Sequence, residues 1–174
     1  MKKQRAFTLI EMLIAMAVLL ILMSVASQSY HHLFAHQALV SSAEKLYQFL
    51  RLAKEESIKQ NKKVYVHFCE NSTTPEWRMA LSETSSCDCF IQNSCLLNGA
   101  HQNVSLSDGK FVFTSATDIT FSGLKVSYNS MRFSVNAGSV TLNDSDNNTI
   151  KVIQSAMRLR ICTPNSARLG YPKC

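Results

Sequence analysis

Proline and glycine are missing from the first third of this chain. None occurs between Phe7 and Asn61, and all three prolines and five glycines lie further on. Proline breaks a helix and glycine loosens one, so nothing in that stretch interrupts helical structure. Charge is missing from Met12 to Ala26, and acidic residues are missing from Lys151 to Cys174. The furniture of an enzyme is missing as well. There is no Ser/His/Asp set in a recognisable local context, no Gly-rich phosphate loop and no spaced carboxylate pair on one helix face. His67 and His101 stand alone. The sequence calls for no catalytic residue, no cofactor and no metal.

What is present begins with a short basic leader, MKKQRA (1–6), running into the apolar stretch FTLIEMLIAMAVLLILMSVA. With Phe7 to Ile10, the charge-free run reaches the about 20 residues that span a bilayer. One carboxylate, Glu11, interrupts it. A charge in such a segment costs on the order of a few kcal/mol, so Glu11 points to a partner rather than to a plain anchor. Lys2, Lys3 and Arg5 place the N-terminus in the cytoplasm and everything after Ser27 in the periplasm. An alternative is a secretory signal cut after Ser24-Val25-Ala26, but the apolar run is long for one and carries Glu11.

Cys69, Cys87, Cys89, Cys95, Cys162 and Cys174 all fall on the exported side, where an even count reads as disulfides. Cys162 and Cys174 stand apart and read as a pair. Cys69, Cys87, Cys89 and Cys95 then pair among themselves in an order the sequence leaves open, Cys87 and Cys89 being too close to be partners. The one-residue spacing of Cys87-Asp88-Cys89 does not match a zinc knuckle.

Beyond the span, Leu39, Ala43, Leu46, Leu50, Ala53 and Ser57 recur at three- and four-residue steps, with Phe49 and Ile58 widening the stripe. Helix from Phe7 to Asn61 would be about 80 Å long at about 1.5 Å per residue. From Val64 the pattern changes to short β-prone runs: 64–69, 77–81, 111–113, 119–121, 131–135, 139–142, 149–153 and 157–161. Asn136-Ala137-Gly138 reads as a tight hairpin turn and 144–148 as a second. Residues 70–100 read as a loop-rich insert held by bridges. One helix followed by antiparallel strands is an α+β fold. The predicted organisation is leader 1–6, transmembrane spine 7–27, periplasmic spine 28–62 and a β-rich, disulfide-bonded head 63–174.

Phe7-Thr8-Leu9-Ile10-Glu11 resembles the start of mature type IV pilins. The resemblance implies prepilin peptidase cleavage between Ala6 and Phe7, N-methylation of Phe7, and a pairing of Glu11 with a neighbouring subunit's N-terminal amine. The family prefers Gly where this chain has Ala6, and most relatives carry a helix-kinking Pro where it has Gln28, which leaves the kink open. Residues 52–61, LAKEESIKQN, followed by Val64, resemble the helix end of FimT/GspH-type minor pilins and pseudopilins, with Ser57 in place of the usual Ala.

This resemblance implies a minor subunit anchored in the bacterial inner membrane by one span. Its partners would be the major pilin, sibling minor pilins and prepilin peptidase. Such subunits prime assembly and sit at or near the fibre tip, at the cell surface. The nearest alternative is the H-type minor pseudopilin of type II secretion. FimT-like pilins of naturally competent bacteria are linked to uptake of double-stranded DNA through a Gly-Arg-x-Arg element. Met157-Arg158-Leu159-Arg160 keeps both arginines of that element and replaces its glycine. Arg158, Arg160, Arg168 and Lys173 are therefore the candidate DNA contacts in a chain of net charge +6.

Overall fold

The computed structural model describes residues 8–107, 109–130, 134–165 and 170–174, and of residues 25–29 and 31 the backbone alone. A helix, α1, covers Leu9–Gln60. Compact units divide between Phe34 and Ala35. In the first unit every described side chain from Leu9 to Met23 is exposed, Leu9 at 80% and Leu20 at 69%. Among the described residues no helix is long and apolar enough to cross a membrane. The apolar run that is described, Leu9 to Met23, falls short of the about 20 residues a span needs.

In the second unit α1 buries the face its periodicity predicts. Leu39, Ala43, Leu46, Leu50, Ala53 and Ser57 are at most 1% exposed, and Phe49 is buried beside them. Ile58, two residues before the end of α1, departs from that expectation and is 54% exposed. Asn61 takes the left-handed conformation (φ 52°), its N–H reaches the Ile58 carbonyl, and the Lys62 N–H reaches the Ser57 carbonyl. That is the Schellman pattern, with asparagine in the position glycine usually holds.

The strands are β1 Lys63–Glu70, β2 Trp77–Ser82, β3 Leu96–Leu97, β4 Ala100–His101, β5 Asn103–Ser107, β6 Val112–Phe113, β7 Lys125–Asn129, β8 Ser134–Val135, β9 Gly138–Asp144, β10 Thr149–Gln154 and β11 Leu159–Cys162. They form a five-stranded sheet in the order β5-β2-β1-β7-β8, a four-stranded sheet in the order β11-β10-β9-β6, and the small hairpin β3-β4. Every pairing between these strands is antiparallel. Both larger sheets and α1 contribute to one core, in which Trp77, Leu46, Met79, Leu142 and Val152 are at most 1% exposed.

Four sequence expectations need correction. Asn136-Ala137-Gly138 is not a hairpin turn: β8 pairs with β7 in one sheet and β9 with β10 in the other. Asn136 fixes that crossover by accepting at Oδ1 from the Ser127 N–H and donating from Nδ2 to the Lys125 carbonyl at 2.8 Å. Residues 119–121 are not a strand: they meet β9 through an isolated Ile119–Val140 bridge and through Thr120, whose N–H reaches the Ser139 carbonyl at 2.9 Å and whose Oγ1 accepts from the Ser139 N–H at 2.7 Å. The strand read over 157–161 starts at Leu159, with Met157 and Arg158 in the turn before it. The insert also holds a hairpin of its own, since Asn98 (φ 53°) and Gly99 (φ 75°) make the left-handed pair that joins β3 to β4. Of the run 131–135, residues 131–133 lie outside the described ones. The 144–148 turn closes on Asp144, whose Oδ1 accepts from the Asp146 and Asn148 amides.

Gly138 marks the tightest approach at the crossover. A methyl group there would overlap the buried Phe121 ring, which stacks on Phe68 at 5.8 Å and 9°. Gly138→Ala is expected to cost about 1–3 kcal/mol through overpacking. A thermal melt of the intact chain should show it as a fall of roughly 2–4 °C per kcal/mol. An unchanged melt would show that the ring yields freely.

Candidate functional site

Two regions carry the side chains that the sequence singles out. At the N-terminal end, Thr8 precedes α1 as its N-cap. Its Oγ1 accepts from the Glu11 N–H at 3.4 Å, and its carbonyl accepts from the Met12 N–H. Thr8 and Glu11 thus hold the N-cap and N3 positions of a capping-box sequence. Glu11 lies in the first helical turn, where the exposed backbone N–H groups favour negative charge. The Glu11 side chain is exposed amid Leu9, Ile10, Met12 and Leu13, which are 56–80% exposed. So broad an uncovered apolar surface marks contact with a membrane or a protein. Ala6 and Phe7 lie outside the described residues.

The second region is the C-terminal tail. Ser155 and Arg158 close the β10–β11 turn: the Ser155 N–H reaches the Arg158 carbonyl at 2.9 Å, and the Arg158 N–H reaches Ser155 Oγ at 3.0 Å. Neither Ala156 nor Met157 takes a left-handed conformation. The turn therefore has no need of the glycine that Met157 replaces. The two arginines are not equivalent. Both are exposed, but Arg160 lies opposite Ile153 on β10, whereas Arg158 sits in the turn and lines a cleft against α1. Lys173 is exposed and pairs through its backbone with Thr163, which brings it beside β11. Arg168 lies outside the described residues.

Three disulfides join Cys69 to Cys89, Cys87 to Cys95 and Cys162 to Cys174. The first two gather four sulfurs around the buried Ala80 and pin the insert to β1 and β2. The third closes the tail, and Tyr171 then ties that loop to α1 by donating to Glu44 Oε1 at 3.0 Å. Burial and that bond push the Tyr171 hydroxyl up to about 12. The tie escapes sequence reasoning because 127 positions separate its partners.

Both isolated histidines serve structure. His67 is buried, with Nε2 at 3.0 Å from the Thr84 carbonyl, and burial holds its pKa below the usual histidine range. His101 Nδ1 lies 2.9 Å from the Cys95 carbonyl. A buried polar seam crosses the core. Ser57 Oγ lies within reach of the Lys62 and Tyr128 carbonyls, Tyr128 donates its hydroxyl to Gln154 Oε1 at 3.0 Å, and Gln154 Nε2 donates to the Ser155 carbonyl. Burial pushes the Tyr128 hydroxyl up, so it remains a donor at any ordinary pH.

A helix opening on Thr8 and Glu11, an uncovered apolar surface and an antiparallel, disulfide-held head together define a pilin-type subunit. The prokaryotic N-terminal methylation motif matches residues 1–27. The family described as type II transport protein GspH matches residues 42–168, most of the chain, and the chain belongs to that family. It is a minor pilin or minor pseudopilin of the type IV pilin superfamily, with the type IV pilin fold, in a family of membrane-anchored structural subunits. Among solved structures it is similar to the type IV minor pilin FimU of Pseudomonas aeruginosa. That likeness has 12% identity and a TM-score of 0.47, and covers 76% of this chain and 92% of the other. It is also similar to the minor pseudopilin EpsH from the type 2 secretion system of Vibrio cholerae, at 15% identity, TM-score 0.46 and coverage of 73% and 98%. No curated protein matches.

Proposed function

We propose that this chain is a minor pilin of a type IV pilus that primes assembly and sits at or near the fibre tip. The observation that carries this reading is the uncovered apolar surface from Leu9 to Met23 with a single carboxylate, Glu11, in its first turn. Residues 7–27 enter the inner membrane, and α1 then packs among the spines of other subunits, where Glu11 neutralises a neighbour's terminal amine. An amine and a carboxylate in a low-dielectric bundle attract far more strongly than in water, and each is costly alone. The head stays in the periplasm and caps the bundle. Co-purification from membranes tests the reading: the major pilin and sibling minor pilins are expected with the full chain. Type II secretion components in their place would assign it to that system as its H-type pseudopilin.

Processing is expected to begin the chain's working life. Mass spectrometry of the mature protein should show removal of residues 1–6 and N-methylated Phe7 at the new terminus. A mature chain starting at Ser27 would establish an ordinary signal peptide and remove the spine from the mechanism.

A second reading, contact of Arg158, Arg160, Arg168 and Lys173 with duplex DNA, draws on the exposure of Arg158, Arg160 and Lys173 in a tail without a single acidic residue. Such a patch attracts phosphate without regard to sequence, and its affinity falls steeply with salt. Replacing Arg160 and Lys173 with Gln is expected to flatten the slope of log affinity against log salt by roughly one unit for each phosphate no longer neutralised. Transformation should fall while pilus number holds. An absence of binding at low salt, where attraction is strongest, would overturn this reading.

A further inference from the structure

The head carries a surface that neither the N-terminal helix nor the basic tail explains. Two adjoining hollows, of about 210 and 330 Å³, lie between the end of α1 and the β10–β11 hairpin, the first also walled by β7 and β8, and share Lys54, Ile58, Gln154 and Met157. Their walls are largely apolar. Ile58 is 54% exposed and Met157, at the hairpin tip, is 92% exposed, with half-buried Leu159 and Val135 nearby. Two cations stand at the rim. Arg51 is satisfied by Glu55 at 2.8 Å, but the side chains of Lys54 and Arg158 form no ion pair among the described residues.

This combination restricts the occupant. A purely aliphatic partner would strip water from Lys54 and Arg158 without replacing it, and uncompensated charge is costly. A purely acidic partner would leave Ile58 and Met157 in water. Phosphate of duplex DNA offers the charge but not the aliphatic surface. Methionine, flexible and polarizable, suits a surface that closes around an irregular side chain. An apolar patch rimmed by polar groups is the mark of a protein interface, and complementary charge at the rim sets register and partner choice.

We propose that this cleft docks an aliphatic segment bearing carboxylates from the head of a neighbouring pilin-type subunit. Lys54 and Arg158 pair with its carboxylates, and Ile58 and Met157 cover its apolar side chains. The inference rests on the reading of the chain as an assembling subunit and adds the place and chemistry of a head-to-head contact.

The test is photo-crosslinking in cells that make the fibres, with a photoreactive residue at position 157 of the full chain and a control label at the exposed Ile91 position. The expected adduct joins position 157 to a pilin-type subunit through a peptide holding Asp or Glu among aliphatic residues. Lys54→Glu with Arg158→Glu should cut its yield per incorporated chain at least about tenfold, with the melting temperature of the chain unchanged. An adduct to lipid or DNA, a peptide without carboxylates, or a yield indifferent to charge reversal overturns the proposal. So does a chain present in sheared fibres that gives no adduct, and that result leaves the pilus reading standing. A chain absent from both fibres and co-purified pilins overturns the pilus reading and this proposal together.

Discussion

Glu11→Val is expected to leave membrane insertion intact or improved and to reduce incorporation into fibres by about a hundredfold or more. The two effects separate because they have different causes. Insertion responds to removal of a charge from hydrocarbon, which is favourable by a few kcal/mol. Incorporation responds to a neighbour's amine left in the bundle without its carboxylate, and breaking a buried pair from one side costs about 3–5 kcal/mol. Loss of charge from the first turn of α1 adds only about 0.3–1 kcal/mol, so helix weakening cannot account for a hundredfold change. The measurement is the ratio of mutant chain in sheared fibres to mutant chain in membranes, with leader removal checked by mass. Normal incorporation would remove Glu11 from the assembly mechanism. Glu11→Asp, which keeps the charge one methylene short, should fall between wild type and the valine variant.

Reduction of the three bridges is expected to unfold the head. Each native bridge removed costs about 2–5 kcal/mol. A domain's whole stability is about 5–15 kcal/mol, so the loss of three consumes most or all of it. The bridges should also fail in different places. Cys69–Cys89 spans 20 positions and Cys87–Cys95 spans 8, and among the described residues the buried apolar side chain packed with these four is Ala80. Residues 83–95, where Cys89 and Cys95 are the buried positions, therefore have sulfur in place of a hydrophobic core. Replacing Cys69 and Cys89 with Ala should expose residues 83–95 to limited proteolysis before the sheets are cut. Replacing Cys162 and Cys174 should instead loosen the tail, leaving the Tyr171–Glu44 bond and the backbone bonds of Thr163 to Pro172 and Cys174 to hold it. Protease resistance equal to wild type in either variant would show that packing suffices there without the covalent link.

What the sequence reveals and what it hides divide along the range of the interactions involved. The buried stripe on α1 and the stop at Asn61 rest on neighbours three to five positions apart, and both are legible. The fate of Ile58 is not, because its period continues while no strand covers it. Asn136-Ala137-Gly138 carries hairpin chemistry, yet the direction of the chain there is set by a side chain reaching back to β7 and by the Phe121 ring. Arg158 and Arg160 have the spacing of one strand face, but the strand begins between them. The two-residue Asn98-Gly99 signal is readable in itself and is masked by the cysteines around it. For the bridges, spacing singles out Cys162 and Cys174, while the partners within the cluster of four depend on where β2 lies against β1.

The seam of Ser57, Tyr128 and Gln154 bears on descent. A buried donor or acceptor that loses its partner costs about 1–3 kcal/mol, whereas exchanging both partners for apolar groups of the same shape is nearly neutral. Tyr128→Phe alone takes the hydroxyl from Gln154 Oε1, and Ser57→Ala alone removes a donor from two carbonyls. A lineage drifting one substitution at a time meets a barrier at Tyr128 and at Gln154, whose side chains bond each other, so those two are inherited as a pair, whereas Ser57 reaches only backbone carbonyls and varies independently of them. Relatives without tyrosine at the position of Tyr128 are expected to differ at the position of Gln154 too, and a table of co-occurring residues across homologues would reveal that linkage without a single purified protein.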